Sequence, residues 1–144
     1  MRAAAWTLLL ALVVACGPAP TPSPESMTGV LNELAAHGAT VTDVLAGDPG
    51  CAGSPLRSNA SRLTLVLAAD GREYHAYLFR WRRPADYEAA SEEFSLCVAA
   101  FVTANGSTEV EVVEVPPWRA YGPGWTAATT EAVEGALAAA AGGP

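Results

Sequence analysis

The chain has 144 residues, 51% of them apolar, which suits one small domain with extensions. Thirty are alanine, lysine is absent, and eight arginines face fifteen carboxylates for a net charge of −7. That acidity excludes nucleic acid as the main partner, because phosphate contacts need a basic footprint, and a charged fraction of 16% excludes a disordered chain.

The first sixteen residues read as a unit separate from the fold. Arg2 and the α-amino group are positive, and residues 3–15 are almost wholly apolar. This run is shorter than the roughly 20 residues of a spanning helix and fits the apolar core of a secretory signal. It ends Val13-Val14-Ala15-Cys16, which resembles a bacterial lipobox. The resemblance implies cleavage before Cys16 and diacylglycerol on its sulfur; an ordinary signal with a chance cysteine is the plainer alternative. Cleavage would leave seven arginines against fifteen acids, a charge of −8. Two or three acyl chains hold a protein on a membrane without crossing it, at about 0.8 kcal/mol per buried methylene. Residues 17–24 alternate proline with small residues, a pattern that predicts a semi-stiff extended tether at about 3.1 Å per residue. The expected division is therefore signal 1–15, lipidated cysteine and tether 16–24, and one domain over 25–144.

In chain order, Ser23 and Pro24 are expected to open a helix whose stripe is Met27, Val30, Leu31 and Leu34, ended by His37-Gly38. A strand over 40–45 and a Gly/Pro/Ser/Asn loop over 47–61 follow. Between residues 62 and 81, two β-rich runs flank Asp70-Gly71, the pair a two-residue type I′ hairpin calls for. That turn places Leu67 opposite Tyr74, Leu65 opposite Ala76 and Leu63 opposite Leu78, all on the core face. Thr64, Val66, His75, Tyr77, Phe79 and Trp81 fall on the other face. Pro84 opens a helix to about Val102 with the stripe Tyr87, Ala90, Phe94, Cys97, Val98 and Phe101. A strand over 109–115 shifts phase at Val113, which suggests a bulge. Residues 118–124 read as turns, 125–129 as a short strand, and 131–141 as an alanine-rich helix. The fold class is α+β: a single antiparallel sheet containing a β-hairpin, with about three helices packed on one face.

This order resembles a group of small bacterial lipoproteins of unknown function. The residues that carry it are Leu34-Ala35-Ala36-His37-Gly38-Ala39-Thr40-Val41, the hairpin, Pro84-Ala85-Asp86-Tyr87 and Val115-Pro116-Pro117-Trp118. The likeness spans most of residues 26–141. It implies a longer, more apolar strand after the Pro-Pro-aromatic turn than residues 125–129 supply, and it brings no catalytic residues.

Once Cys16 takes its lipid, Cys51 and Cys97 remain, and an even remainder in an exported protein reads as a disulfide. So long a closure is worth about 4 kcal/mol in the chain-entropy model. His37, at a helix C-terminus, suits the dipole. His75 and His37 are the only histidines, which gives no zinc site and no reason to expect a metal or other cofactor. Val66, His75, Tyr77, Phe79 and Trp81 make the second hairpin face a possible binding face for a protein or small-molecule ligand, unless a loop or helix covers it. Arg80, Arg82 and Arg83 are possible anion contacts, with a solvated strand end as the plainer account. Asn59-Ala60-Ser61 and Asn105-Gly106-Ser107 match glycosylation acceptors by chance composition. The expectation is a non-enzymatic envelope lipoprotein, lipid-anchored at Cys16 and facing periplasm or exterior, that binds an unknown ligand. The alternatives are a small envelope hydrolase using His75, or an accessory subunit of an envelope complex.

Overall fold

The structure, a computed structural model, describes residues 26–106 and 109–142. The signal, Cys16, the tether and the Ser23-Pro24 helix start lie outside the described residues. Helix α1 (Met27–Ala36) is capped by Ser26, whose hydroxyl accepts from the Gly29 N–H at 3.1 Å. This satisfies one of the orphan donors of a helix start. Gly38, at φ 82°, turns the chain directly into strand β1 (Ala39–Ala46). A short 3-10 helix (Pro55–Asn59) then leads into β2 (Ala60–Leu67), and β3 (Glu73–Arg80) returns antiparallel.

The hairpin keeps the expected faces in a different register. Leu65 pairs with Tyr74, Leu63 with Ala76 and Ser61 with Leu78, two residues away from the type I′ expectation. A type I′ turn needs positive φ at both central residues, and here only Gly71 (φ 67°) has it. The chain instead closes a longer loop: Leu67 N–H donates to Arg72 O, and Gly71 N–H to Leu67 O. Asp70 Oδ1 accepts from the Arg72 N–H at 2.9 Å. A shift of two preserves the period of two, so Leu63, Leu65, Leu67, Tyr74, Ala76 and Leu78 still enter one core.

The helix expected to start at Pro84 is two: α2 (Pro84–Ala89) and α3 (Ser91–Asn105), joined at Ala90. Its predicted stripe is buried as expected, with Val98 partly so. Strand β4 (Val110–Val115) pairs without interruption, so no bulge marks Val113. The phase shift has another cause: Val113 enters one core while Val110 packs against the other. The irregularity lies in β1, between Val41 and Asp43.

Residues 118–123, read from sequence as turns, form β5 (Trp118–Pro123) in the sheet interior. The strand order is β1-β2-β3-β5-β4, all antiparallel, leaving β1 and β4 as the edges. The expected strand over 125–129 is absent. Thr126 caps helix α4 (Ala127–Ala140), its hydroxyl accepting from the Thr129 N–H. The α+β class with a single antiparallel sheet stands, but the helices do not share one face. Helices α1 and α4 cover the leucine face, and α2 and α3 cover the opposite one. Both faces of the hairpin are apolar, and each needs its own layer of cover.

Candidate functional site

The second hairpin face was the first candidate for a binding surface, and the structure closes most of it. Tyr77, Phe79 and Trp81 are 8%, 0% and 4% exposed. Phe94 of α3 meets Phe79 edge-on at 5.3 Å between ring centroids, Tyr87 of α2 meets Trp81 edge-on at 5.7 Å, and Phe101 meets Tyr77 at 5.2 Å. Tyr121 from β5 stacks on Tyr77 at 4.9 Å. These rings fill a second core, and edge and offset contacts of this kind add to their burial. Val66 and His75, nearer the hairpin turn, are only partly covered. The expected five-residue binding face is therefore divided, with its three large aromatics unavailable to a ligand.

The cover is fastened by the expected bridge. Cys51 and Cys97 form a disulfide across 46 residues, with their Cα atoms 5.4 Å apart. It ties the loop after β1 to the buried stripe of α3. Tyr121 Oη donates to Pro49 O at 2.5 Å, holding the same loop from the sheet side. Gly50 sits at φ 76° against Tyr77 and Tyr121, where a Cβ would come within 2.5 Å of Tyr121 Oη. Only glycine gives both the left-handed backbone and the clearance. Burial raises the pKa of the Tyr121 hydroxyl, with Tyr77 and then Asp48 adding to the effect. Burial, followed by Asp48, also raises that of Tyr77. Both phenols are held neutral as packing groups.

Arg119 is the chemically distinctive residue that the sequence reading missed. It is 2% exposed, with its guanidinium carbon 4.0 Å from the centroid of the Tyr87 ring and 5.4 Å from those of Trp81 and Phe94. Nη2 donates to Ser91 Oγ at 2.6 Å. Nε lies 3.1 Å from Glu114 Oε1, close enough for ionic attraction but without hydrogen-bond alignment. The cation is thus held by ring faces, one hydroxyl and one half-exposed carboxylate. A lone arginine two residues before a tyrosine, within Trp118-Arg119-Ala120-Tyr121, was the only signal available.

The three clustered arginines separate by role. Arg80 is partly buried, its guanidinium carbon 5.3 Å from the Trp118 ring centroid. Arg83 is exposed and forms a two-bond pair with Asp86, at 2.7 and 2.8 Å. That carboxylate raises the Arg83 pKa by hydrogen bonding and charge. Arg82 is exposed, and among the described residues it makes no ion pair. A cleft of about 480 Å³ lies among Ser58, Asn59, Arg80, Arg82, Arg83 and Asp86.

The histidines lie apart from all of this. His75 Nδ1 is 3.4 Å from Thr64 Oγ1, and the His75 carbonyl accepts from Trp125 Nε1 at 2.9 Å. Among the described residues no hydrogen bond joins His75 to a carboxylate. His37 is the C-cap of α1 and packs on Gly135 of α4, where a Cβ would fall 2.7 Å from its ring. Among the described residues, no three His, Cys, Asp or Glu side chains gather as a metal site. No helix of the described residues is long and apolar enough to cross a membrane. No known protein family, curated protein or solved structure matches the chain.

Proposed function

We propose that this chain is an exported envelope lipoprotein, anchored through lipid on Cys16, whose domain works as a non-enzymatic binding or interaction module. The observation that carries the reading is the Cys51–Cys97 disulfide. Of three cysteines, two are joined in a bridge suited to an oxidising compartment, and the third follows an apolar run that ends in Ala15. A structural bridge accounts for the pair, so Cys16 alone is left for a thiol-specific modification. The resemblance of the sequence to small bacterial lipoproteins is in keeping with this reading. For such a module the second hairpin face leaves only Val66 and His75 within reach of a ligand, since Tyr77, Phe79 and Trp81 are packing.

Cys16→Ser tests the anchor. Wild-type protein should fractionate with membranes and carry a mass increment on Cys16, while the variant should be released or remain an uncleaved precursor. Unchanged mature membrane association in the variant would refute the lipid anchor. The module reading fails if ligand screens stay empty while the purified protein turns over an envelope substrate and His75→Ala abolishes that turnover.

A further inference from the structure

We propose that the outer edge of β4 takes up an extended segment of a partner protein in which cationic and apolar residues alternate. This rests on the interaction-module reading and names the class of partner. The backbone supplies the first observation. Among the described residues, β4 pairs with β5 alone. Glu109 O accepts from the Gly124 N–H at 2.9 Å, so Glu109 turns its backbone groups toward β5. In an antiparallel ladder this direction alternates, so Glu111 and Val113 also face β5, while Val110, Val112 and Glu114 turn theirs outward. Pro123, opposite Val110, agrees with this, having no N–H to offer it. The other edge is less fit, because β1 breaks its register between Val41 and Asp43. An unpaired run of outward groups is a template for one added strand.

The side chains supply the second observation. Over residues 109–112 acid and valine alternate, which puts the acids on the α4 face and the valines on the α3 face. Val112 is 44% exposed. Neither acid has a cation across the strand pair: Glu111 lies opposite Gly122, and Glu109 bonds at Gly124. Among the described residues neither makes an ion pair. The surrounding elements add no free cation. Residues 84–144 hold nine of the fifteen carboxylates and one arginine, Arg119, whereas over residues 25–83 six arginines balance six carboxylates. Arg119 is buried and already held by Glu114 and Ser91. Helix α4, packed on β4, brings Glu131 and Glu134, and α3 on the other face brings Glu92 and Glu93. An added strand therefore meets carboxylates on one face and an exposed valine on the other, so its cations and apolar residues must alternate. Segments of this chain do not supply that strand. Residues 17–24 hold four prolines and no cation, and neither edge strand of a second copy carries a cation. Arg80-Trp81-Arg82 alternates as required, but Trp81 is buried in the aromatic core.

Amide hydrogen exchange read by NMR tests this on the full-length protein, with the peptide acetyl-Thr-Arg-Val-Arg-Val-Arg-Thr-amide as probe. At saturating peptide, exchange at the outward amides of Val112 and Glu114 should slow at least about threefold. Glu111 and Val113, already bonded to β5, should stay unchanged. A peptide with glutamate for arginine, or the same composition with its arginines in one block, should leave all of these amides as they were. Glu109→Gln combined with Glu111→Gln should weaken binding of the probe at least about fivefold. Val112→Pro removes an outward donor without removing a β4–β5 bond, and should abolish binding while the unfolding transition is retained. If that variant does not fold, the glutamine pair decides. No slowing, slowing without the alternation, or equal effects of the three peptides overturns the proposal and leaves the module reading to another surface. Turnover of an envelope substrate that His75→Ala abolishes overturns the module reading itself, whatever the edge amides do.

Discussion

On one side of the sheet, Leu63, Leu65 and Leu78 meet Val30, Leu34, Val133 and Leu137 from two helices. On the other, Tyr77, Phe79 and Trp81 meet Tyr87, Phe94 and Phe101, and a disulfide closes the margin. The aliphatic side is closed by small residues: Ala132, Ala136 and Ala140 let α4 come close, so branched side chains suffice to fill the layer. The aromatic side uses large rings, a loop held by Tyr121 and a buried arginine. A helix layer that fits closely needs no covalent help, whereas one that includes a long glycine- and proline-rich loop gains from being tied.

The comparison breaks most sharply at the bridge. A Cys51→Ala, Cys97→Ala double variant should lose about 4 kcal/mol in denaturant unfolding, and hydrogen exchange should rise in α3 before α1 and α4. Uniform loosening of both sides would show that they are one cooperative layer. Next in size is Gly50→Ala, which adds left-handed backbone strain to a clash with Tyr77 and Tyr121. A loss of about 3 kcal/mol is expected, again centred on the aromatic side. On the aliphatic side, Ser26→Ala and Thr126→Ala each remove a helix cap and should cost about 1 kcal/mol, with α1 and α4 fraying first.

The smallest effects lie at the two extremes of pH. Tyr77 and Tyr121 have pKa values raised above the free phenol, so their contribution is present below about pH 10 and lost as pH rises through the folded values. Tyrosinate absorbance should therefore appear together with unfolding of the aromatic side. Asp70 is the opposite case. The Tyr74 hydroxyl, donating at 2.6 Å, and then the Arg72 N–H hold its carboxyl below 3.8. Its stabilisation is present above about pH 4 and lost as pH falls through the folded value, which should loosen the hairpin tip that carries Tyr74 into the leucine core. Amide exchange at Gly71 and Arg72 across an acid titration reads this, and a tip indifferent to pH would remove Asp70 from the account.

Much of this was legible from periodicity. The alternation of Leu63, Leu65 and Leu67 and the helical spacing of Tyr87, Phe94 and Phe101 each assigned the right residues to a buried face. Cysteine parity gave the bridge. Strand β5 was not legible, because Trp118, Arg119, Ala120 and Tyr121 are all buried and so show no polar alternation, while prolines and glycine at its ends imitate turns. Missing β5 also hid Arg119, the one fully buried cation among the described residues. The hairpin register was misread because Asp70-Gly71 names a turn type only if both residues take positive φ. The placement of helices on one face failed for a related reason: two apolar stripes on two helices require two sheet faces.

The sheet has two open edges, and their residues bear on how copies of this protein tolerate one another. An unpaired strand edge invites another strand to add to it. Strand β1 interrupts its own pairing between Val41 and Asp43 and exposes the Asp43 carboxylate; β4 carries Glu111 and Glu114. Any edge-to-edge union of two molecules, whichever edges meet, brings carboxylates toward carboxylates across a kinked or acidic strand. At high local concentration this repulsion acts against growth of the sheet from one molecule into the next.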